Sequence, residues 1–449
     1  MTEVESQPVQ GVVFLPPEQG LRGTVRVPGD KSVSHRAVLL GAVNDGPVEI
    51  HGFLHSADTL ATVGAVRALG VEVDEHDSGL TVHGRGWSGL REPEDVIDVA
   101  NSGTLIRLLP GLVASCDFYV VLTGDRSIRR RPMARLLEPL AAMGATVAGR
   151  AQNSLPPVSV RGGRLQGMEH RLLVASAQVK SCLLLAGLRA HGETTVAEPG
   201  GSRDHTERLV RFGGGHIERD GPVDGAGVVH VFPVERLSLP PIQVPGDLSS
   251  AAFFIVGALL VSDSDIRVEN VGLNPTRTGL LRVLERMGGD IEVEETDADG
   301  CEPVGRIRVR TSQLRATDVD ATEVPAMIDE LPLFLLAAAR ARGTSRVRGA
   351  AELRVKESDR LGAMAGMLAS FGIDVVQHSD GLEVTGVPGG WGDGTVHTVG
   401  DHRLAMVGAI AGLASREGVT VDDVGCVAVS YPGFVDTLRG LGGRAEVRP

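Results

Sequence analysis

Lys31, Ser32, His35 and Arg36 follow the turn-forming Pro28-Gly29-Asp30 directly and precede an apolar run from Ala37 to Val43. Asp30 or Ser32 is placed to cap a helix, and the run has the character of a helix packed inside. The first turn of such a helix offers free backbone N–H groups, and Lys31 and Arg36 add two cations to them. That combination binds oxyanions. A nucleotide phosphate loop fails on spacing, because Asp30 stands between the glycine and the lysine.

Similar junctions recur. NSGTLIR (Asn101 to Arg107) joins a polar turn to a helix, and DRSIRRRP (Asp125 to Pro132) puts four arginines just ahead of another. RVKESDR (Arg354 to Arg360) mixes Arg354, Lys356 and Arg360 with Glu357 and Asp359, and DHRLAM (from Asp401) leads into a buried helix. So many cationic turns at helix starts imply substrates rich in phosphate or carboxylate, which arginine grips bidentately. Among them, Asp329, Glu330 and Glu357 are the candidates for proton transfer.

The elements that position these residues repeat. The VPGD of Val27 returns at Val244, where it continues as LSSAAFFIVGALL and carries no cation. Six times a helix ends on a large apolar residue, a glycine follows, and an alternating strand begins. The copies are LGVEV (Leu69), MGATV (Met143), FGGGHIE (Phe212), MGGDIEV (Met287), FGIDVV (Phe371) and LGGRAEV (Leu441). The glycine suits a left-handed helix cap and the alternation suits a half-buried strand. The spacing predicts six α/β units, three on each side of the second VPGD, in two similar domains that cross at the VPGD segments.

A formal charge of −13 argues against nucleic acid or anionic membrane as a general partner. The arginine loop has no aromatics interleaved for base stacking. No apolar stretch has the length of a membrane span. The four cysteines are far apart, and no metal-spaced cluster or dinucleotide fingerprint occurs, so chemistry without metal or other cofactor is expected. MTEVESQPVQ has no features of an export or import signal, which predicts a cytoplasmic protein.

VPGDKSVSHR, NSGTLIR, RRRPM, SAQVKS, RVKESDRL and DHRLAM occur in the order, and with the content, that resembles the 5-enolpyruvylshikimate-3-phosphate synthases. The resemblance runs from about residue 12 to 440. It implies an α/β protein of two domains, each an inside-out α/β prism of three βαβαββ repeats, closing on substrate in the cleft between them. It places a flexible tail at 1–10, domain I at 11–27 plus 245–449, and domain II at 28–244. The implied reaction moves the enolpyruvyl group of phosphoenolpyruvate to the 5-hydroxyl of 3-phosphoshikimate.

By motif position, the resemblance assigns catalysis to Lys31, Asp329 and Glu357. It assigns 3-phosphoshikimate to Lys31, Ser32, Arg36, Ser176, Ala177, Gln178, Arg203, Asp329 and Lys356. Phosphoenolpyruvate would meet Lys31, Asn101, Gly103, Arg131, Gln178, Glu330, Arg360 and Arg403. A monomer is implied, with glyphosate as a possible inhibitor.

GDKS, SAQVK, SRDHTE and NPTR are similar to the markers of the second, glyphosate-tolerant class. Relative to the sensitive class, Ala177 replaces a serine, His205 a tyrosine and Glu352 an asparagine, and CVAVSYPGF matches no C-terminal lysine. Gly103 stands where some tolerant members have alanine. The sister activity, enolpyruvyl transfer to a nucleotide sugar, uses a loop cysteine that GDRSIRRRP lacks.

Overall fold

The computed structural model describes residues 11–296 and 300–447. The tail expected at 1–10 lies outside the described residues. Alternating strands and apolar helices assemble into six four-stranded sheets. All six share one pattern, a parallel pair at one edge followed by two antiparallel pairings. In one, Ile242–Gln243 lies parallel to Asp45–His51, which pairs antiparallel with Gly79–Arg85, which in turn pairs with Val73–His76.

The recurring glycine phrase is the hinge of each unit. Gly70, Gly144, Gly214, Gly288, Gly372 and Gly442 all take positive φ, from +74° to +115°. There a side chain would strain the backbone, and glycine reverses the chain from helix into strand. In FGGGHIE the left-handed position is the second glycine, Gly214; Gly213 before it has φ −85°.

Apolar side chains gather into two cores. One joins Phe14, Leu21, Val25 and Val27 to residues from Leu248 to Leu441, and the other runs from Val33 to Val244 with Cys301 added. The chain therefore passes between the cores at the two VPGD segments. These segments pair with each other: Gly29 and Gly246 form an antiparallel bridge, Asp30 N donates to Pro245 O at 2.7 Å, and Asp247 N to Pro28 O at 2.9 Å. A Cβ on Gly29 would lie 1.9 Å from Gly52 O, so only glycine lets the first segment pass the turn that follows Asp45–His51.

The helices after the two crossings differ as their sequences do. Every residue of Leu248–Leu260 is buried. At ~1.5–3 kcal/mol for each large apolar side chain buried, this helix is a principal anchor of its core. In Lys31–Ala42 burial begins at Val33, leaving Lys31 and Ser32 partly open. No described helix is long and apolar enough to cross a membrane.

Candidate active site

Lys31, Ser32 and Arg36 ride on the first turns of Lys31–Ala42, capped by Asp30, whose carboxylate accepts from Val33 N at 2.9 Å. Lys31 Nζ meets Asp58 at 3.0 Å, and His35 bonds Thr62 at 2.6 Å and lies 3.4 Å from the same Asp58. Burial alone would raise the Asp58 carboxyl, but Lys31 and His35 outweigh it and hold it ionised, well below the ordinary range. Arg36 donates to Thr206 at 2.7 Å, Ser181 at 2.8 Å and the Ser32 carbonyl at 3.0 Å. Burial pushes its guanidinium down to about 10 against the pull of Glu207 and Asp30.

NSGTLIR supplies a backbone floor beside two arginines. Arg107 donates to Gly103 O at 3.1 Å and to Gln178 Oε1 at 2.8 Å, and Gln178 reaches back to Thr104 at 3.2 Å. Gly103 leaves room for Arg131, since a Cβ there would sit 2.4 Å from Arg131 Nη1. Of the arginine loop, Arg131 is buried and Arg129 and Arg130 are exposed. The Asn101 amide is turned toward the arginine loop, donating to Asp125 at 2.6 Å and Ser127 at 2.9 Å.

Ser176 caps the helix Ala177–Gly187, accepting from Val179 N at 3.5 Å. The buried Lys180 of that helix pairs with Glu198 at 3.0 Å and Glu207 at 2.8 Å and donates to Ser202 O at 3.1 Å. That bond pins the loop presenting Arg203.

All these groups belong to the half with the Val33–Val244 core; the other half supplies the proton-transfer candidates. Asp329 receives Arg203 at 2.5 Å, Lys356 at 3.3 Å and Arg360 at 3.5 Å, and its carbonyl accepts from Arg403 at 3.2 Å. Glu357 sits between Arg360 at 2.7 Å and Arg131 at 3.1 Å. Burial would raise both carboxyls, but Lys356, Arg203, Arg403 and Arg360 around Asp329, and Arg360 and Arg131 around Glu357, hold them well below their usual range. Burial also lowers the Lys356 ammonium, with Asp329 opposing.

Arg360 is fixed by a fork to Asp401 at 2.8 and 3.2 Å. Asp401 in turn caps the helix His402–Ala414 through Arg403 N at 3.0 Å. Glu330 hydrogen-bonds Ser249 and lies 3.7 Å from Arg403.

One cationic basin, with two ionised carboxylates set into it, thus joins almost every residue singled out by motif. The Asn101 side chain is the exception, and the Ser176 hydroxyl is spent on its helix cap. Asp58 and Asp401 were not singled out as site residues. Asp58 is an ordinary acidic residue in the first turn of Ala57–Ala68, and nothing local marks it as the partner of Lys31. Asp401 lies inside DHRLAM, where its position before Arg403 was the available signal. His402 also joins the site: burial and then Lys31 push its imidazole down to about 3, so it stays neutral.

Comparison with known proteins gives the chain's family. The model of the EPSP synthase (3-phosphoshikimate 1-carboxyvinyltransferase) family matches residues 15–438. A 3-phosphoshikimate 1-carboxyvinyltransferase of Citrifermentans bemidjiense is 48% identical over 95% of this chain and 98% of its own. One from Halorhodospira halophila is 48% identical over 96% of each. The solved EPSP synthase of Acinetobacter baumannii superposes with a TM-score of 0.87 at 41% identity, covering 98% of this chain and all of that one. The enolpyruvyl transferase NikO of Streptomyces tendae has the same fold, with a TM-score of 0.76 at 22% identity over 98% of this chain. The chain belongs to the EPSP synthase family.

Proposed function

We propose that the chain transfers the enolpyruvyl group of phosphoenolpyruvate to the 5-hydroxyl of 3-phosphoshikimate and releases phosphate. Family membership supports the reaction. The observation that carries the residue roles is the placing of Asp329 and Glu357 in one ring of cations drawn from both halves.

In this reading Asp329 takes the 5-hydroxyl proton, the oxygen adds to the substituted carbon of the enol, and Glu357 protonates the methylene carbon to a methyl group. In elimination a methyl proton leaves, the carbon–phosphate oxygen bond breaks, and phosphate departs with the electron pair. Lys31 assists at the reacting oxygens, its charge held in place by Asp58. Arg36, Arg203 and Lys356 hold 3-phosphoshikimate with Ser32, Ser176, Ala177 and Gln178. Arg131, Arg360 and Arg403 hold phosphoenolpyruvate over Gly103, with Asn101 and Glu330 at its margin. Fixed cations around a tetrahedral intermediate bearing phosphates and carboxylates supply preorganised stabilisation.

The cations have a second effect. Paired to them, both carboxyls lie well below their usual range, which favours Glu357 without its proton and makes Asp329 a weaker base. Substrate phosphates and carboxylates draw Arg131, Arg203 and Arg360 away, and both carboxyl pKa values rise toward the working range. Binding of the anions thereby arms the acid and the base.

The domain division at 27/28 and 244/245, a monomeric state and a cytoplasmic location belong to the same proposal. So does the glyphosate-tolerant class, supported by GDKS, SAQVK, SRDHTE and NPTR. Phosphate release from the two substrates without added metal, in wild type and in Lys31→Met and Glu357→Gln, tests the reaction and the roles. Turnover by wild type with severe loss in both variants is expected; release only with a nucleotide sugar would overturn the substrate. Tight inhibition by glyphosate competing with phosphoenolpyruvate would overturn the tolerant class.

A further inference from the structure

Besides Arg277–Asp30 at the VPGD crossing and the pairing of Glu302 with His205 and Arg208, three ion pairs among the described residues span the two halves: Arg203–Asp329, Arg131–Glu357 and Arg135–Glu352. The first two use groups that the proposed reaction assigns to substrate or proton transfer, so substrates dismantle them. Arg135–Glu352 uses neither. Its two guanidinium nitrogens face the two carboxylate oxygens as a parallel fork, Nη1 to Oε1 at 3.1 Å and Nη2 to Oε2 at 3.3 Å. The side chains are 32% and 41% exposed, so the pair can open and close without unfolding either half.

The sequence cost of this pair is visible. Arg135 occupies the first turn of Ala134–Met143, where the helix dipole disfavours a cation. Its charge, after that of Arg131, also adds to burial in lowering the Arg107 guanidinium. A local penalty with no local compensation points to a partner elsewhere, and Glu352 is that partner. Arg135 lies four residues after Arg131, in the helix that follows the arginine loop, and Glu352 shortly before Lys356 and Glu357 on the opposing half.

We propose that Arg135 and Glu352 are positioning residues, a latch across the cleft that keeps Glu357 and Arg131 in register over phosphoenolpyruvate after substrate has taken their charges. Glu352, at the position where the sensitive class carries asparagine, then acts through Arg135 and does not touch 3-phosphoshikimate. This rests on the proposed reaction for its kinetic readout.

The test is steady-state kinetics of Arg135→Gln, Glu352→Gln and the reversed pair Arg135→Glu/Glu352→Arg. Each single variant should raise KM for phosphoenolpyruvate about three- to fivefold, with kcat changed by less than about twofold, as expected of a partly exposed pair. The reversed pair should recover most of that loss, and high salt should erase the difference between wild type and the single variants. Absence of recovery would overturn the latch, and so would a rise confined to KM for 3-phosphoshikimate in Glu352→Gln. Small-angle scattering of the ligand-free proteins decides independently of turnover: both single variants should have a larger radius of gyration than wild type and the reversed pair. Equal radii in all four would overturn the latch, while a silent wild type with normal scattering differences would overturn only the reaction.

Discussion

Asp30 and Asp247 occupy the same place in the two VPGD crossings and do the same local work, Asp30 accepting from Val33 N and Asp247 from Ser249 N. Arg277 stands between them, 3.2 Å from one carboxylate and 3.0 Å from the other, and donates to Ser249 at 2.6 Å. Beyond the caps the copies diverge. Lys31 meets Asp58 at the edge of the basin, whereas Leu248, 4% exposed, is core. A duplicated backbone device has thus been kept for geometry in both copies and for charge in one. What separates them is which side of the crossing the helix start faces.

Exchanging the two residue types should break this contrast with the largest effects. Lys31→Met removes a cation from the reacting centre and should lower kcat by a factor of 10²–10³, the ~2.7–4 kcal/mol of a single oxyanion donor, in a phosphate-release assay. Leu248→Lys buries a further charge at the edge of the core, beside Arg277, and should lower stability in denaturant unfolding. A Leu248→Lys protein as stable as wild type would mean that the second crossing is not core in solution.

Arg277→Met sharpens what the copies share. It leaves two buried carboxylates facing each other and should cost ~3–5 kcal/mol, read from urea midpoints. Burial and Asp30 already raise the Asp247 carboxyl in the presence of the arginine. Without it both carboxyls rise above their unfolded values, so each is favourable below about pH 4 and that contribution is lost as pH climbs through the raised folded value. The deficit of the variant should therefore be greatest near neutrality and shrink on acidification. A deficit independent of pH would show that Arg277 acts through packing alone.

Much of this was legible in the chain because its signals are local. A helix, a left-handed glycine and an alternating strand specify one unit, and six copies specify the plan. Lys31, Arg131, Arg360 and Arg403 were legible because they sit in compact phrases at helix starts. Asp58 was not, because its significance arises only when Ala57–Ala68 packs beside Lys31–Ala42, and first-turn acids are common for the dipole alone. The Arg135–Glu352 fork was hidden for the same reason, its members being 217 residues apart. Asn101 shows the converse: its motif is compact, but its amide ties its turn to Asp125 and Ser127 of the arginine loop.

Two glycines, one beside a charge and one among apolar side chains, give a subtler comparison. Gly103 abuts the Arg131 guanidinium, while a Cβ on Gly257, in the helix Leu248–Leu260, would meet Ile410 and Leu21 side chains at 3.3 and 3.4 Å. Gly103→Ala should push Arg131 aside and raise KM for phosphoenolpyruvate by on the order of tenfold to a hundredfold, with folding stability little changed. Gly257→Ala should leave the kinetics alone and move the urea midpoint slightly, since the neighbours need yield only tenths of an ångström.

The smallest effect is expected where arginines are most densely paired. Arg310 touches Asp290 at 2.7 Å and also Glu292, and the neighbouring Arg308 meets Asp265 at 2.8 Å, a ladder along exposed strands far from the substrate basin. The Arg310 guanidinium is held above its ordinary value by these bonds, yet it stands in solvent, where water and salt answer most of the attraction. Arg310→Gln should therefore change neither kcat nor either KM, and its melting temperature should stay close to that of wild type and converge on it as salt is added. Arg131 has fewer partners and far more consequence, because its charge is confined with Glu357 where solvent does not screen it. A large loss of stability in Arg310→Gln would mean that the number of ion pairs, and not their burial, governs what a charge is worth in this fold.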